Sequence, residues 1–139
     1  MSAVLGIDPG TRKVGYAVAS DPTSPPLALG IEAVETLLER VMPLVQAHGV
    51  ETIALGRGTN AALVADLVRA LGLPVHLVDE SGTTYGARAL YFADNPPRGW
   101  RRLVPLGLQL PPRPIDDYAA LLIARRYIGR GTNGPSVVY

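Results

Sequence analysis

The chain has 139 residues, a length that favours one domain with a core of its own. Its 47% hydrophobic content with mixed charge excludes a disordered chain, and the absence of cysteine excludes disulfides and thiolate metal sites. A net charge of +1 hides an asymmetry: residues 1–92 carry six basic and nine acidic residues, whereas residues 93–139 carry seven basic and three acidic. A basic C-terminal third predicts a surface for polyanions, and arginine, twelve of the thirteen basic residues, suits bidentate phosphate contacts. There is no apolar run of about 18 residues, so no membrane span is expected. A strand pattern from Ala3 onward leaves no room for a signal peptide, and a cytoplasmic location is expected.

Ala3 to Ile7 reads as a short apolar strand, Asp8-Pro9-Gly10-Thr11 as a turn, and Val14 to Ala19 as the second arm of a hairpin. After a Pro- and Ser-rich turn at Asp21–Pro26, Leu27 to Val34 completes a β-meander. Leu37, Leu38, Val41, Leu44 and Val45 recur at helical spacing, with Gly49 as a stop and Pro43 predicting a kink or a late start. Glu51 to Leu55 is a buried strand. Thr59 or Asn60 is expected to cap the next helix, with Leu63, Val64, Leu67, Val68 and Leu71 on its inner face and Gly72 at its end. Pro74 to Val78 is the fifth strand, and Thr83 or Thr84 opens a helix to about Phe92. Residues 93–114, with six prolines, read as a flexible basic loop, Ile115 to Tyr127 as a last amphipathic helix, and 129–139 as a loose tail. The order predicts an α/β fold: a mixed sheet, antiparallel meander then parallel strands, flanked by helices, in one domain over 1–128.

Carboxylates stand at the ends of these elements. Asp8 closes the first strand, where it either binds a cation or caps the loop backbone. Asp79 and Glu80 follow the fifth strand, where ligands gather in open α/β sheets, although an acidic pair also suits a helix N-terminus. Asp116 and Asp117 open the last helix. Asp116 shares a face with Ala120, Ile123 and Tyr127 that is expected to be buried, whereas Asp117 is expected to look outward or to cap. Carboxylates meeting without cysteine select hard divalent cations, and two such ions about 3.5–4 Å apart can cleave a phosphodiester.

Three runs carry a family resemblance. Leu5-Gly-Ile-Asp-Pro-Gly-Thr-Arg-Lys-Val-Gly-Tyr-Ala-Val18 resembles the first hairpin of the Holliday-junction resolvase RuvC superfamily. Val78-Asp-Glu-Ser-Gly-Thr-Thr-Tyr-Gly-Ala-Arg88 is similar to the Asp-Glu-Arg-x-Ser/Thr-Thr signature of its YqgF/RuvX branch, and Ile115-Asp-Asp-Tyr-Ala-Ala-Leu-Leu-Ile123 resembles that branch's last motif. The resemblance implies a ribonuclease-H-like fold and Mg²⁺ or Mn²⁺, two ions, held by Asp8, Glu80 and Asp116, with Asp117 competing for the last position. It implies maturation of the 16S rRNA 5′ end or, alternatively, resolution of branched DNA. Ser81 stands where the branch usually has Arg, and Gly56-Arg57-Gly58 replaces the usual Gly-Leu-Pro. These departures motivate a non-catalytic nucleic-acid-binding module as a further alternative. The Asp8-x-Gly-Thr-x-x-x-Gly15 run also resembles the first phosphate loop of actin-like ATPases, which need two such domains.

Arg12, Lys13 and Arg57 are placed to touch a scissile phosphate, while Arg98, Trp100, Arg101, Arg102 and Arg113 can clamp phosphates and stack on an unpaired base. Arg125 and Arg126 are expected to solvate the last helix, His48 and His76 to be structural, and Tyr85 is a weaker substrate contact. The expected partner is nucleic acid, RNA or branched DNA, with the protein a monomer or homodimer.

Overall fold

In the computed structural model, residues 3–58, 60–79, 83–96 and 115–130 are described. The strands are β1 (Ala3–Asp8), β2 (Lys13–Ala19), β3 (Ala28–Ala33), β4 (Val50–Gly56) and β5 (Val75–Val78). The helices are α1 (Leu37–His48), α2 (Ala61–Val68), α3 (Thr83–Asp94) and α4 (Asp116–Arg130). The five strands form one sheet in the order β3-β2-β1-β4-β5. β1 pairs antiparallel with β2, and β2 with β3, while β1 pairs parallel with β4, and β4 with β5. This is the mixed sheet that the element order predicts. The two parallel pairs are built through helical crossovers, as parallel neighbours require.

Alternation along the strands divides the core in two. Leu5, Ile7, Val14, Tyr16, Val18, Ile53, Leu55 and Val75 face one way, under Leu37 and Val41 of α1 and Val64 and Val68 of α2. Val4, Ala17, Ala19, Ala54 and Val78 face the other way, against Ala120, Leu121, Ile123 and Ala124 of α4. α3 packs on the far side of α4 through Ala87, Tyr91 and Phe92 against Tyr118 and Ala119. α4 is therefore enclosed between the sheet and α3.

Several details depart from the sequence reading. α1 starts at Leu37 and runs through Pro43 without the late start, after a short 3₁₀ turn at Val34–Thr36. Pro43 is exposed, so the carbonyl it leaves unbonded faces water. Leu63, expected on the inner face of α2, is 51% exposed. The buried stripe of α2 is instead Ala61, Val64, Ala65 and Val68, and Leu63 lies one residue round from it. Asn60 occupies the N-cap position of α2 but makes no capping bond. α1 is followed by Gly49 at φ 62° and the 3₁₀ turn after α2 by Gly72 at φ 71°, the stops the sequence predicts. α4 continues through Arg130, past the expected end at Tyr127. Thr59, most of the 93–114 loop and most of the 129–139 tail lie outside the described residues.

Candidate active site

Asp8 is the last residue of β1. Val4 and Gly6 of the same strand face α4, so alternation sends Asp8 to that side too. Its register partner across the hairpin is Gly15 of β2, about 4.5–5.5 Å away between Cα atoms in an antiparallel pair. Gly15 in turn lies directly beneath the start of α4. A Cβ built on Gly15 would stand 1.9 Å from the Asp116 carbonyl oxygen and 2.8 Å from the Asp117 nitrogen. A Cβ on Gly6 would similarly stand 2.2 Å from the Ala120 carbonyl oxygen. The helix thus rests on bare sheet backbone at two glycines, one on each central strand. The backbone of residue 8 and that of residues 116–117, more than a hundred positions apart in sequence, thus both adjoin Gly15.

The electrostatics follow from this seating. Burial, and then the neighbouring Asp117 carboxylate, raise the Asp116 carboxyl above its ordinary value of 3.8, while Lys13 pulls it down. Asp117 is only 5% exposed, the one buried charged residue among the described residues. The expectation that Asp117 looks outward is therefore wrong. Asp117 precedes Leu121 and Ala124 on the sheet side, as Asp116 precedes Ala120 and Ile123, and the sheet covers both rows. Asp116 and Asp117 offer oxygen donors and no sulfur, the donor type that a hard divalent cation takes. Among the described residues no set of three His, Asp or Glu side chains is gathered closely enough to hold a metal ion. Glu80, the remaining expected ligand, lies outside the described residues, as do Arg98, Trp100, Arg101, Arg102, Arg113 and the side chain of Tyr85.

Around this point the described cations are arranged on one rim. Arg12 and Lys13 are exposed in the turn after Asp8, and Arg57 is exposed just beyond β4, the parallel neighbour of β1. The turn is fastened on two sides: the Arg12 carbonyl accepts from Val34 N at 3.0 Å, and the Gly10 carbonyl accepts from Asn60 Nδ2 at 2.7 Å. Arg57 N donates to the Val78 carbonyl at 3.0 Å, tying the end of β4 to the end of β5. Arg125 and Arg126 do more than solvate α4. Arg125 donates to the Ser24 carbonyl at 2.9 Å, and Arg126 to the Asp79 carbonyl at 2.8 Å. His76 packs its ring 5.1 Å from that of Tyr127, in line with a structural role. At the other end of α4's first turn, the Tyr118 hydroxyl donates to Asp94 at 3.0 Å, and its ring meets Tyr91 edge-on at 5.7 Å. Burial, and then this bond to Asp94, raise the Tyr118 hydroxyl above its ordinary value.

The seat at Gly15 and the Asn60 bond escape the sequence reading. Strand alternation places Gly6, Asp8 and Gly15 on one face of the hairpin and could have suggested the first. The second joins residues fifty positions apart and leaves no periodic trace.

No family model matches the chain. It is 32% identical to a Moorella thermoacetica protein named "Putative pre-16S rRNA nuclease", over 94% of this chain and 98% of that protein. It is 32% identical to a Pelotomaculum thermopropionicum protein of the same name, over 90% of this chain and 85% of that protein. It is also 30% identical to the crossover junction endodeoxyribonuclease RuvC of Chlorobaculum parvum, over 94% of this chain and 83% of that protein. In structure it resembles RuvC of T. thermophilus solved with a Holliday junction substrate, with a TM-score of 0.65 at 21% identity over the whole of both chains.

Proposed function

Because the chain belongs to the RuvC/YqgF superfamily and is a nuclease, we propose that it is a divalent-metal-dependent ribonuclease that matures the 5′ end of precursor 16S rRNA. The observation that supports this chemistry is that Asp8 and the Asp116–Asp117 backbone both adjoin Gly15. What favours RNA is the name borne by the two relatives at 32% identity, one of them matched over 98% of its length.

Asp8, Glu80 and Asp116 would hold Mg²⁺ or Mn²⁺, and Asp117 would supply further negative charge beside Asp116. The bound ions would lower the pKa of a water nucleophile and neutralise charge on the leaving oxygen. The protein's own part is to hold these carboxylates in a partly desolvated place and to grip the polyanion. Lys13 is exposed close enough to Asp116 to lower its carboxyl, and would offer its ammonium to a phosphate brought to that carboxylate. Arg12 and Arg57 extend that grip along the rim, and Arg98, Trp100, Arg101, Arg102 and Arg113 hold the flanking nucleotides. The site of action is the cytoplasm. Among the described residues no helix is long and apolar enough to cross a membrane.

A second reading, cleavage of branched DNA, is favoured by the RuvC relative at 30% identity. Cutting two strands symmetrically requires a two-fold dimer, whereas RNA processing does not. The test is a panel of precursor rRNA leader, unstructured RNA and a four-way DNA junction with Mn²⁺, each beside Asp8→Asn. Cleavage of the leader that is lost in the variant is expected. Preferential cutting of the junction by a dimer selects the second reading, and full activity of Asp8→Asn overturns the carboxylate mechanism.

A further inference from the structure

We propose that Asn60 is a positioning residue that sets the place of the Asp8 loop, an inference that rests on the carboxylate reading above. Asn60 holds the N-cap position of α2, where an Asn side chain ordinarily accepts a backbone N–H of the first turn. It makes no such bond. Its side-chain nitrogen instead donates to the Gly10 carbonyl at 2.7 Å, two residues beyond Asp8. The orientation of the amide is settled by its partner. A carbonyl can only accept, so the NH₂ must face Gly10. Asn60 thus forgoes a cap on its own helix to fasten a loop fifty positions earlier in the chain.

The loop it fastens has little slack. A Cβ at Gly10 would fall 2.2 Å from the Lys13 carbonyl oxygen, so the turn is already folded tightly on itself. Its far end is held by the bond from Val34 N to the Arg12 carbonyl. Asn60 supplies the hold between that point and Asp8. Because Asn60 lies three residues after Arg57, the same bond couples the Arg57 loop to the turn carrying Arg12 and Lys13. Carboxylate and phosphate-gripping cations are thereby kept in one register.

Asn60→Asp separates positioning from folding. Asp and Asn are equally good helix caps, so a residue that serves only α2 tolerates the exchange. The carboxylate that the exchange introduces cannot donate, and its charge would face the Gly10 carbonyl and expel it. In Asn60→Asp we expect melting within a few degrees of wild type, but shifted amide resonances for Asp8 and Thr11 in the metal-free protein. We expect the cleavage rate to fall about 10- to 100-fold, with the half-saturating Mn²⁺ concentration rising several-fold and KM for the nucleic acid little changed. Asn60→Ala, which removes the donor without setting a charge against the Gly10 carbonyl, should match this activity loss. The Mn²⁺-induced rise in melting temperature gives a readout independent of turnover and should shrink in both variants. Wild-type behaviour of Asn60→Asp, in an active protein that Mn²⁺ stabilises, overturns the role of Asn60 and leaves the nuclease reading intact. A wild-type protein with neither cleavage nor Mn²⁺ stabilisation overturns both.

Discussion

At the scale of single residues, Asp116 is a group whose charge the metal-free fold resists. Its carboxyl is raised by burial and by Asp117, so the protonated form is the one folding favours. The stabilising contribution of a raised carboxyl is complete below its unfolded value and is lost as pH rises through the folded value. Asp116→Asn should therefore stabilise the metal-free protein at neutral pH by less than about 1 kcal/mol, given its partial exposure to solvent, and raise its melting temperature slightly. That gain should vanish as the pH is lowered, while stabilisation by Mn²⁺ and cleavage are both lost. Melting curves with and without the ion check the two halves together. Asp21 behaves in the opposite sense. The Ser24 hydroxyl and the Thr23 and Ser24 N–H groups donate to it and lower it from 3.8 to about 2. Its support of the turn before β3 is present above 3.8 and fades as pH falls through about 2. Asp21→Asn should melt below wild type at neutral pH and converge with it in strong acid.

At the scale of elements, the seating of α4 on glycine decides where Asp116 stands. A methyl at Gly15 must displace the first turn of α4, because the atoms it meets are backbone and cannot rotate away. Gly15→Ala should cost about 1–3 kcal/mol, as overpacking does, and reduce cleavage about 100-fold through misplacement of the carboxylate. Gly49→Ala gives the comparison. It strains a residue at φ 62° with nothing within 4 Å of the added atom, so it should cost about 1–2 kcal/mol and leave cleavage unchanged. Urea unfolding beside initial rates distinguishes them. The same seating explains what is legible in the sequence. Asp8 can be read because it ends a short apolar strand, and Asp116 because it shares a spacing with Ala120 and Ile123. The reading of Asp117 fails because helical periodicity assumes one apolar stripe. α4 is covered by the sheet on one side and by Tyr91 and Phe92 of α3 on the other, so its buried arc spans most of the first turns.

At the scale of the molecule, the succession of elements and the pairing direction are recoverable from the chain because each element carries its own punctuation: the Asp8–Thr11 turn, Gly49, Gly72 and Pro74; the place of β4 beside β1 is not. Contacts between loops are not, since Asn60 with Gly10 and Arg126 with Asp79 each join residues far apart that follow no period. The sheet is antiparallel where the chain turns back at once and parallel where a helix intervenes. That arrangement brings the ends of β1, β4 and β5 to one edge, where Asp8, Arg57 and Asp79 emerge.

The helix that lies across Gly6 and Gly15 also follows every described strand in order of synthesis. A ribosome that has delivered the hairpin, β4 and β5 has made the sheet but not the helix that closes over it. Docking of that closing segment completes the seat at Gly15, so the cleavage proposed above would begin only once the segment is in place. On refolding, the first cut should await the slowest step of assembly, and heating should abolish cutting and tertiary order at one temperature.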